Sequence, residues 1–309
     1  MDGSDILISA ALTIITAATP LLFASLGELI AEKSGVLNLG VEGMMIIGAI
    51  IAFATAVSTD SAILAIIAGA VAGMVLGALF GFLVLILMSN QVATGLALTI
   101  FGLGLSALIG HTFVGKTFGG LPTLYIPVLT DIPVIGRIVF GQDGLVYLSI
   151  AAAGAVAWFL KNSRAGLILR AVGENHDAAH AIGHPVIRVR FLAILFGGAM
   201  AGVGGAYLSI AYTPLWVENM TAGRGWIALA LVVFSAWRPW RALFGAYLFG
   251  GITILQLHVQ GIGVAIPSQL LSMLPYLVTV VVLVLISRDS VRQKLSAPAC
   301  LGKSFYAAT

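Results

Sequence analysis

Residues Gly110-His111-Thr112-Phe113-Val114-Gly115-Lys116-Thr117 fit the pattern Gly-x4-Gly-Lys-Ser/Thr in full. Such a loop cradles phosphates when a β-strand precedes it and a helix follows, so that backbone N–H groups and the lysine converge on the anion. Here a long apolar run precedes it and Gly119-Gly120-Leu121-Pro122 follows. The letters are present without the context, and ATP hydrolysis by this chain is not expected. His176, His180 and His184 fall at i, i+4 and i+8, a stripe that could bind a divalent metal. No cysteine or His-Glu-x-x-His run accompanies them, and Pro185 adjoins the third, so a solvated face with no metal is expected. Cys300 is the only cysteine and can form neither an internal disulfide nor a cysteine metal site. No Ser-His-Asp set is placed together, and neither a catalytic residue nor a cofactor is expected in this chain.

A second group of polar residues lies beside or within apolar runs. Glu28, Glu32 and Lys33 lead into Ser34-Gly35-Val36-Leu37-Asn38-Leu39-Gly40-Val41-Glu42-Gly43. Read as one helix from Gly35, Asn38 and Glu42 are four apart and share a face. Glu42 would then lie roughly 10 Å along that helix. A carboxylate in that setting costs on the order of 2.5–3.5 kcal/mol unless it is paired or wetted. Two readings stand: a polar lining or gate of a path across the membrane, and a buried hydrogen bond to backbone or asparagine that fixes helix packing. Asn90, Gln91 and Thr94, at the end of another apolar run, are weaker path candidates. Trp216, Glu218, Arg224 and Trp226 could contact an aromatic, hydrogen-bonding solute at a mouth of the path. Tryptophan also gathers at membrane interfaces whatever the function.

The stretch Arg170-Ala-Val-Gly173-Glu174-Asn175-His176-Asp177-Ala178-Ala179-His180-Ala-Ile-Gly183 alternates charged and small residues. It predicts a short amphipathic helix, with Asn175 capping its start and Gly183 ending it. Projecting from a membrane bundle, such a helix offers a knob to a soluble partner; the plainer reading is a solvated loop.

These residues need elements to hold them, and composition says which. Of 309 residues, 60% are hydrophobic and 9% charged, with mean hydropathy +1.09. A soluble domain carries far more charge. The expected class is all-α, a polytopic transmembrane bundle of about eight to ten spans, since each span needs about 20 apolar residues. Candidate spans are 6–27, 35–57, 61–88, 92–112, 144–160, 191–212, 224–237, 241–258 and 268–287. The 224–237 run is short enough to be a half-helix or a re-entrant piece. One transmembrane domain over 1–287, with a loop at 161–190, would be followed by a polar tail over 288–309. The net charge of +3 is spread without a basic cluster, which argues against nucleic acid. With all nine runs crossing and the N-terminus outside, 12 Lys and Arg face the cytoplasm and 3 face outward, as the positive-inside rule asks. The C-terminus is then cytoplasmic. Gly69, Gly73, Gly77 and Gly81 recur on one face of the third span, and Gly198 and Gly202 stand in the sixth, which predicts close helix contacts within the subunit.

Glu32-Lys33-Ser34-Gly35-Val36-Leu37-Asn38-Leu39-Gly40-Val41-Glu42-Gly43-Met44 closely resembles the N-terminal signature of permease subunits of bacterial ABC importers for nucleosides and simple sugars, within the branched-chain amino-acid permease group. The run from Ala211 to Ala230 resembles the nucleoside-type branch, and the similarity covers roughly residues 25–285. It implies a multi-pass inner-membrane subunit partnered by cytoplasmic ATP-binding subunits, a second permease and an extracytoplasmic solute-binding protein. The solute would be a nucleoside, with simple sugars or branched-chain amino acids as alternatives. The resemblance places Arg170, Gly173, Glu174, Asn175, Ala178, Ala179 and Gly183 at the segment that couples to the ATPase. His176 departs from the Pro that members often have there, and His184 from an apolar residue. An ion-driven secondary transporter is the alternative class.

Overall fold

The computed structural model describes residues 3–125, 127, 129–130, 132, 135–261, 267, 270–271, 273–274, 277–278, 280–281, 284 and 297–306. The expected span 268–287 and the first part of the expected tail therefore fall largely outside the described residues. The main helices are α1 (Gly3–Lys33), α2 (Val41–Thr59), α3 (Ala62–Gly81), α4 (Gln91–Gly110), α5 (Ile135–Phe140), α6 (Gly144–Asn162), α7 (Arg164–Glu174), α8 (His176–Ala181), α9 (Val186–Tyr207), α10 (Arg224–Phe234) and α11 (Pro239–Gly261). Among the described residues, six helical segments are long and apolar enough to cross a membrane: Ile8–Lys33, Val41–Thr59, Ala62–Ile86, Gln91–Phe113, Gly144–Asn162 and Val186–Tyr212. The protein is an all-α polytopic bundle.

Short polar side chains set the starts of five helices. Ser61, Asn90, Ser163 and Asn175 each accept a backbone N–H from the first turn of α3, α4, α7 and α8. Asp143 does more. Its Oδ1 accepts the Leu145 and Val146 amides at the start of α6, while Oδ2 accepts the Tyr207 hydroxyl at 2.8 Å, tying α6 to α9. Both α3 and α9 end in one turn of π-helix, Phe82–Ile86 and Leu208–Tyr212.

The two glycine stripes face each other. A Cβ at Gly202 would strike the Gly69 carbonyl, one at Gly73 the Gly198 carbonyl, and one at Gly48 the Gly202 backbone. With no side chains between them, α2, α3 and α9 meet backbone to backbone, the close approach that small residues allow in lipid. Gly81 continues the stripe against the Phe191 ring. The stripes thus serve packing within one chain.

The expected helix over 35–57 is shorter than its hydropathy suggests. Residues 34–40 are irregular, and α2 begins at Val41. Asn38 and Glu42 therefore do not share a helix face, because Asn38 precedes the helix. Gly35 sits at φ +92, and the N–H groups of Leu37, Asn38 and Gly40 donate to side-chain oxygens of Gln91, Glu28 and Asn38 instead of to carbonyls four residues back. The segment expected over 224–237 is a half-helix, Arg224–Phe234, entered through irregular residues 213–223. The phosphate-loop letters fall on the last residue of α4, a 3-10 turn at His111–Phe113 and a turn at Gly115, with helix instead of strand before them.

Candidate functional site

Both irregular segments run inside the bundle and meet at one side chain. Glu42, in the first turn of α2, is buried, and its Oε1 accepts the Thr221 hydroxyl at 2.6 Å and the Gly223 amide at 2.8 Å. Its Oε2 accepts the Gly225 amide at 2.6 Å. Gly223 is the N-cap of α10 in the left-handed region, φ +81. The open N–H groups and positive dipole end of the half-helix are thus met by the protein's own carboxyl group. A Cβ at Gly225 would lie 2.6 Å from the Glu42 backbone, so only glycine lets the two helix starts approach.

Neighbouring contacts fix the depth of this junction. Gly43 packs on Leu98 and Thr99, and Gly102 on Gly43, in the middle of α4. Trp216, buried, lies against Gly110 at the far end of α4. Eight to eleven residues of helix separate those levels, roughly 12–16 Å. Residues 216–225 therefore descend into the bundle, and α10 completes the passage to Trp237, whose indole N–H donates to Glu32 near the end of α1. Non-helical backbone at such depth persists only where protein or a wet cavity satisfies it. Here other side chains do so: Glu28 Oε1 accepts the Asn38 amide, Gln91 Oε1 the Leu37 amide, and the Thr99 hydroxyl donates to the Leu39 carbonyl. Glu28 Oε2, Glu32 Oε1 and Gln91 Nε2 are buried there without a hydrogen-bond partner among the described residues.

The expected path residues are not all gathered. Asn38, Glu42 and Gln91 belong to the junction and its cradle. Asn90 caps α4, and Thr94 pairs with Ser89 at 2.8 Å, both at the end where α4 starts. Arg224 donates to the Met220 and Thr221 carbonyls and lies over the Tyr212 ring, level with the junction and well below Trp216. Glu218 is exposed, and Trp226 is half exposed on the first turn of α10. The expectation that Trp216, Glu218, Arg224 and Trp226 share one mouth is corrected, since the segment carrying them runs through the depth of the bundle.

The end at which α1 stops carries the other group. The expected loop 161–190 is two helices meeting at Asn175, so Arg170, Gly173 and Glu174 lie on α7, while Ala178 and Ala179 lie on α8. Asn175 Oδ1 accepts the Ala178 amide, and Gly183 takes φ +90 beyond α8. Glu174, Asn175, Asp177, Ala178 and Ile182 are exposed there, and Ile182 is 73% exposed. Ala179 packs inward with Val172, Val186 and Phe305. The Arg170 Nε is buried without a hydrogen-bond partner among the described residues, and a Cβ at Gly173 would strike the Lys33 carbonyl. His176 is buried and paired with Arg190, and His180 leans on the Phe305 ring, so these two histidines pack within the chain instead of sharing a solvated face. Burial, with the Arg190 charge beside it, pushes the His176 imidazole below its ordinary range.

Sequence reasoning missed three participants. Thr221 is an unremarked threonine far from Glu42 in the chain. Arg190 counts toward the basic residues of a loop, yet its side chain is fully buried. Residues 297–306 read as a polar tail, yet Cys300 and Phe305 are buried against α7 and α8. Their one signal is the pattern of Pro, Gly and Phe that closes an otherwise charged stretch.

A multi-pass helical bundle with broken crossings at its centre and a short helix projecting at one end describes a membrane permease. Residues 10–285 match the family model described as branched-chain amino acid transport system / permease component, and the chain belongs to that family. It is a permease component of an ABC transporter. TsgC13 of Haloferax volcanii, named provisionally as a glucose ABC transporter permease, is 42% identical over 94% of this chain and 95% of its own. The nucleoside ABC transporter permease NupC of Lactococcus lactis is 32% identical, covering 90% of this chain and 92% of its own. The guanosine ABC transporter permease NupQ of Bacillus subtilis is 30% identical, covering 86% and 88%. No solved structure matches the chain.

Proposed function

We propose that this chain forms the membrane path of an ATP-driven importer, with α8 as the helix that receives force from a cytoplasmic ATPase. The observation that carries this reading is the α7–α8 projection, capped at Asn175 and exposing Glu174, Asn175, Asp177, Ala178 and Ile182. On this reading the α8 end is cytoplasmic, the N-terminus is outside, and the bacterial inner membrane holds the bundle. A second permease completes the path, and a solute-binding protein delivers to the opposite end. ATP-driven closure of the ATPase pair moves α8, and the bundle switches which side is open, a rigid-body change around the central junction. The junction of α2 and α10 is the constriction, lined from Asn38, Glu42, Arg224 and Trp226, with Trp216 and Glu218 toward the outer mouth and Asn90, Gln91 and Thr94 toward the inner one.

The solute we infer is a nucleoside, supported by the nucleoside-type run Ala211–Ala230 and by two relatives named for nucleoside or guanosine transport. A monosaccharide is the second reading, favoured by the relative at 42% identity named for glucose. Competition separates them: labelled nucleoside uptake should be blocked by unlabelled nucleosides and not by glucose. Glu174→Arg and Gly183→Trp should each leave the chain in the membrane while uncoupling ATP hydrolysis from uptake. Unchanged uptake in both would count against α8 as the coupling helix.

A further inference from the structure

Arg190 sits at the first turns of α9 with its guanidinium wholly enclosed, and its donors go to three other parts of the chain. Nε donates to the Ser34 carbonyl at 3.1 Å, Nη1 to the Lys303 carbonyl at 3.0 Å, and Nη2 meets His176 Nδ1 at 3.0 Å. Ser34 begins the irregular segment that leads to Glu42, His176 is the first residue of α8, and Lys303 belongs to the C-terminal segment. A Cβ at Gly35 would lie 2.7 Å from Nη2, so the turn is pressed onto the guanidinium itself. All three acceptors are uncharged on this geometry, with the imidazole accepting at Nδ1, and the low basicity of the buried ring fits that role.

The C-terminal segment ties the same parts a second time. The Cys300 amide donates to the Gly173 carbonyl at 2.9 Å and the Gly302 amide to the Gly35 carbonyl at 3.1 Å. Phe305 lies edge-on to both His176 and His180, each with ring centroids 5.3 Å apart. Residues 297–306 thus grip the end of α7, the face of α8 turned away from solvent, and the turn at Gly35. From α8 an unbroken series of bonds runs through Arg190 to Ser34, along residues 34–40, and through Glu42 to the start of α10.

We propose that Arg190 is the positioning residue that passes displacement of α8 to the 34–40 segment, and that residues 297–306 are the brace that keeps α8 on it. This rests on α8 being the helix that receives force from the ATPase. An ammonium on a single stem cannot hold three acceptors at fixed directions, so Arg190→Lys keeps the charge and loses the linkage. The test uses the complete reconstituted transporter and reads solute moved per ATP hydrolysed, with whichever labelled solute the competition assay identifies. Arg190→Lys, Phe305→Ala and a stop at position 297 should each assemble with the ATPase and hydrolyse ATP. Each should move about tenfold less solute per ATP, about 1.4 kcal/mol of lost linkage. Should Arg190→Lys not accumulate, the other two variants decide. A wild-type ratio in any variant that assembles overturns the proposal. Absence of an ATPase from the purified wild-type complex would instead overturn the reading of α8, and the two failures are told apart before any variant is made.

Discussion

Glu42 and Thr221 stand 179 positions apart in sequence and 2.6 Å apart in space, the carboxyl oxygen of one accepting the hydroxyl of the other. The bond joins the first turn of a crossing helix to the start of a half-helix, and two backbone amides of that half-helix converge on the same carboxyl group. Removing the carboxyl should cost more than removing the hydroxyl. Glu42→Ala orphans three donors, two of them fully buried, at about 1–3 kcal/mol each, whereas Thr221→Val leaves Glu42 two partners and should cost about 1.5–3 kcal/mol. Thermal unfolding in detergent, with protease cleavage within 213–223 as a local readout, checks the order. Equal losses would refute the junction.

The glycine seam predicts a contrast between positions. Gly202→Ala drives a Cβ into the Gly69 carbonyl and should cost about 1–3 kcal/mol or block accumulation in the membrane. Gly104 faces open space in the isolated chain. Gly104→Ala should leave the melting temperature of the isolated chain unchanged or raise it slightly, since alanine favours helix by about 1 kcal/mol. Size-exclusion profiles and melting curves of the two variants are the measurement.

His176 gives a pH dependence with a fixed sign. The folded ring holds a proton less readily than the unfolded one, so above about pH 7 both states are neutral and the residue contributes no slope. As pH falls through about 6.5, the unfolded chain gains a proton that the folded chain refuses, and stability drops until the lower folded value is passed. Protonation would also remove the Nδ1 acceptor from Arg190. His176→Asn should melt with a flatter profile between about pH 7.5 and 5.5 than the wild type. Parallel profiles would mean that another group titrates there.

Trp237 and Glu32 should behave as a coupled pair. The indole N–H donates to a buried carboxyl whose other oxygen has no hydrogen-bond partner among the described residues. Trp237→Phe alone should cost about 1–3 kcal/mol, and less once Glu32→Gln has replaced the carboxyl group. A double-mutant cycle on unfolding free energies should show a coupling of about 0.5–3 kcal/mol. A coupling within error of zero would show the bond to be energetically idle.

Much of this arrangement is legible in the sequence because it is local. Apolar run length marks the crossings, glycine spacing marks the α3–α9 contact, and Asn175 and Gly183 mark the ends of the short helix. The shortness of the 224–237 run already signals a half-helix. What is not legible depends on partners distant in the chain. Val36, Leu37 and Leu39 read as helix by hydropathy, and only Glu28 and Gln91, brought in from α1 and α4, hold that backbone unwound. Arg190 reads as a loop charge because nothing near it in sequence supplies the carbonyls that enclose it. Trp216 and Arg224 read as neighbours at one surface, because eight residues of irregular chain carry no periodicity from which depth could be judged.

The seam of Gly48, Gly69, Gly73, Gly198 and Gly202 also decides which parts of the bundle are free to move. Side-chain interfaces slide by exchanging rotamers, but an interface made of main chain has none to exchange. Its only alternative to the present registry is separation, which would lose every close contact at once. Helices α2, α3 and α9 are therefore locked in one registry where these glycines meet. On the importer reading, opening and closing fall to the parts pinned to that seam by a few directional bonds, the 34–40 segment and the half-helix hung from Glu42.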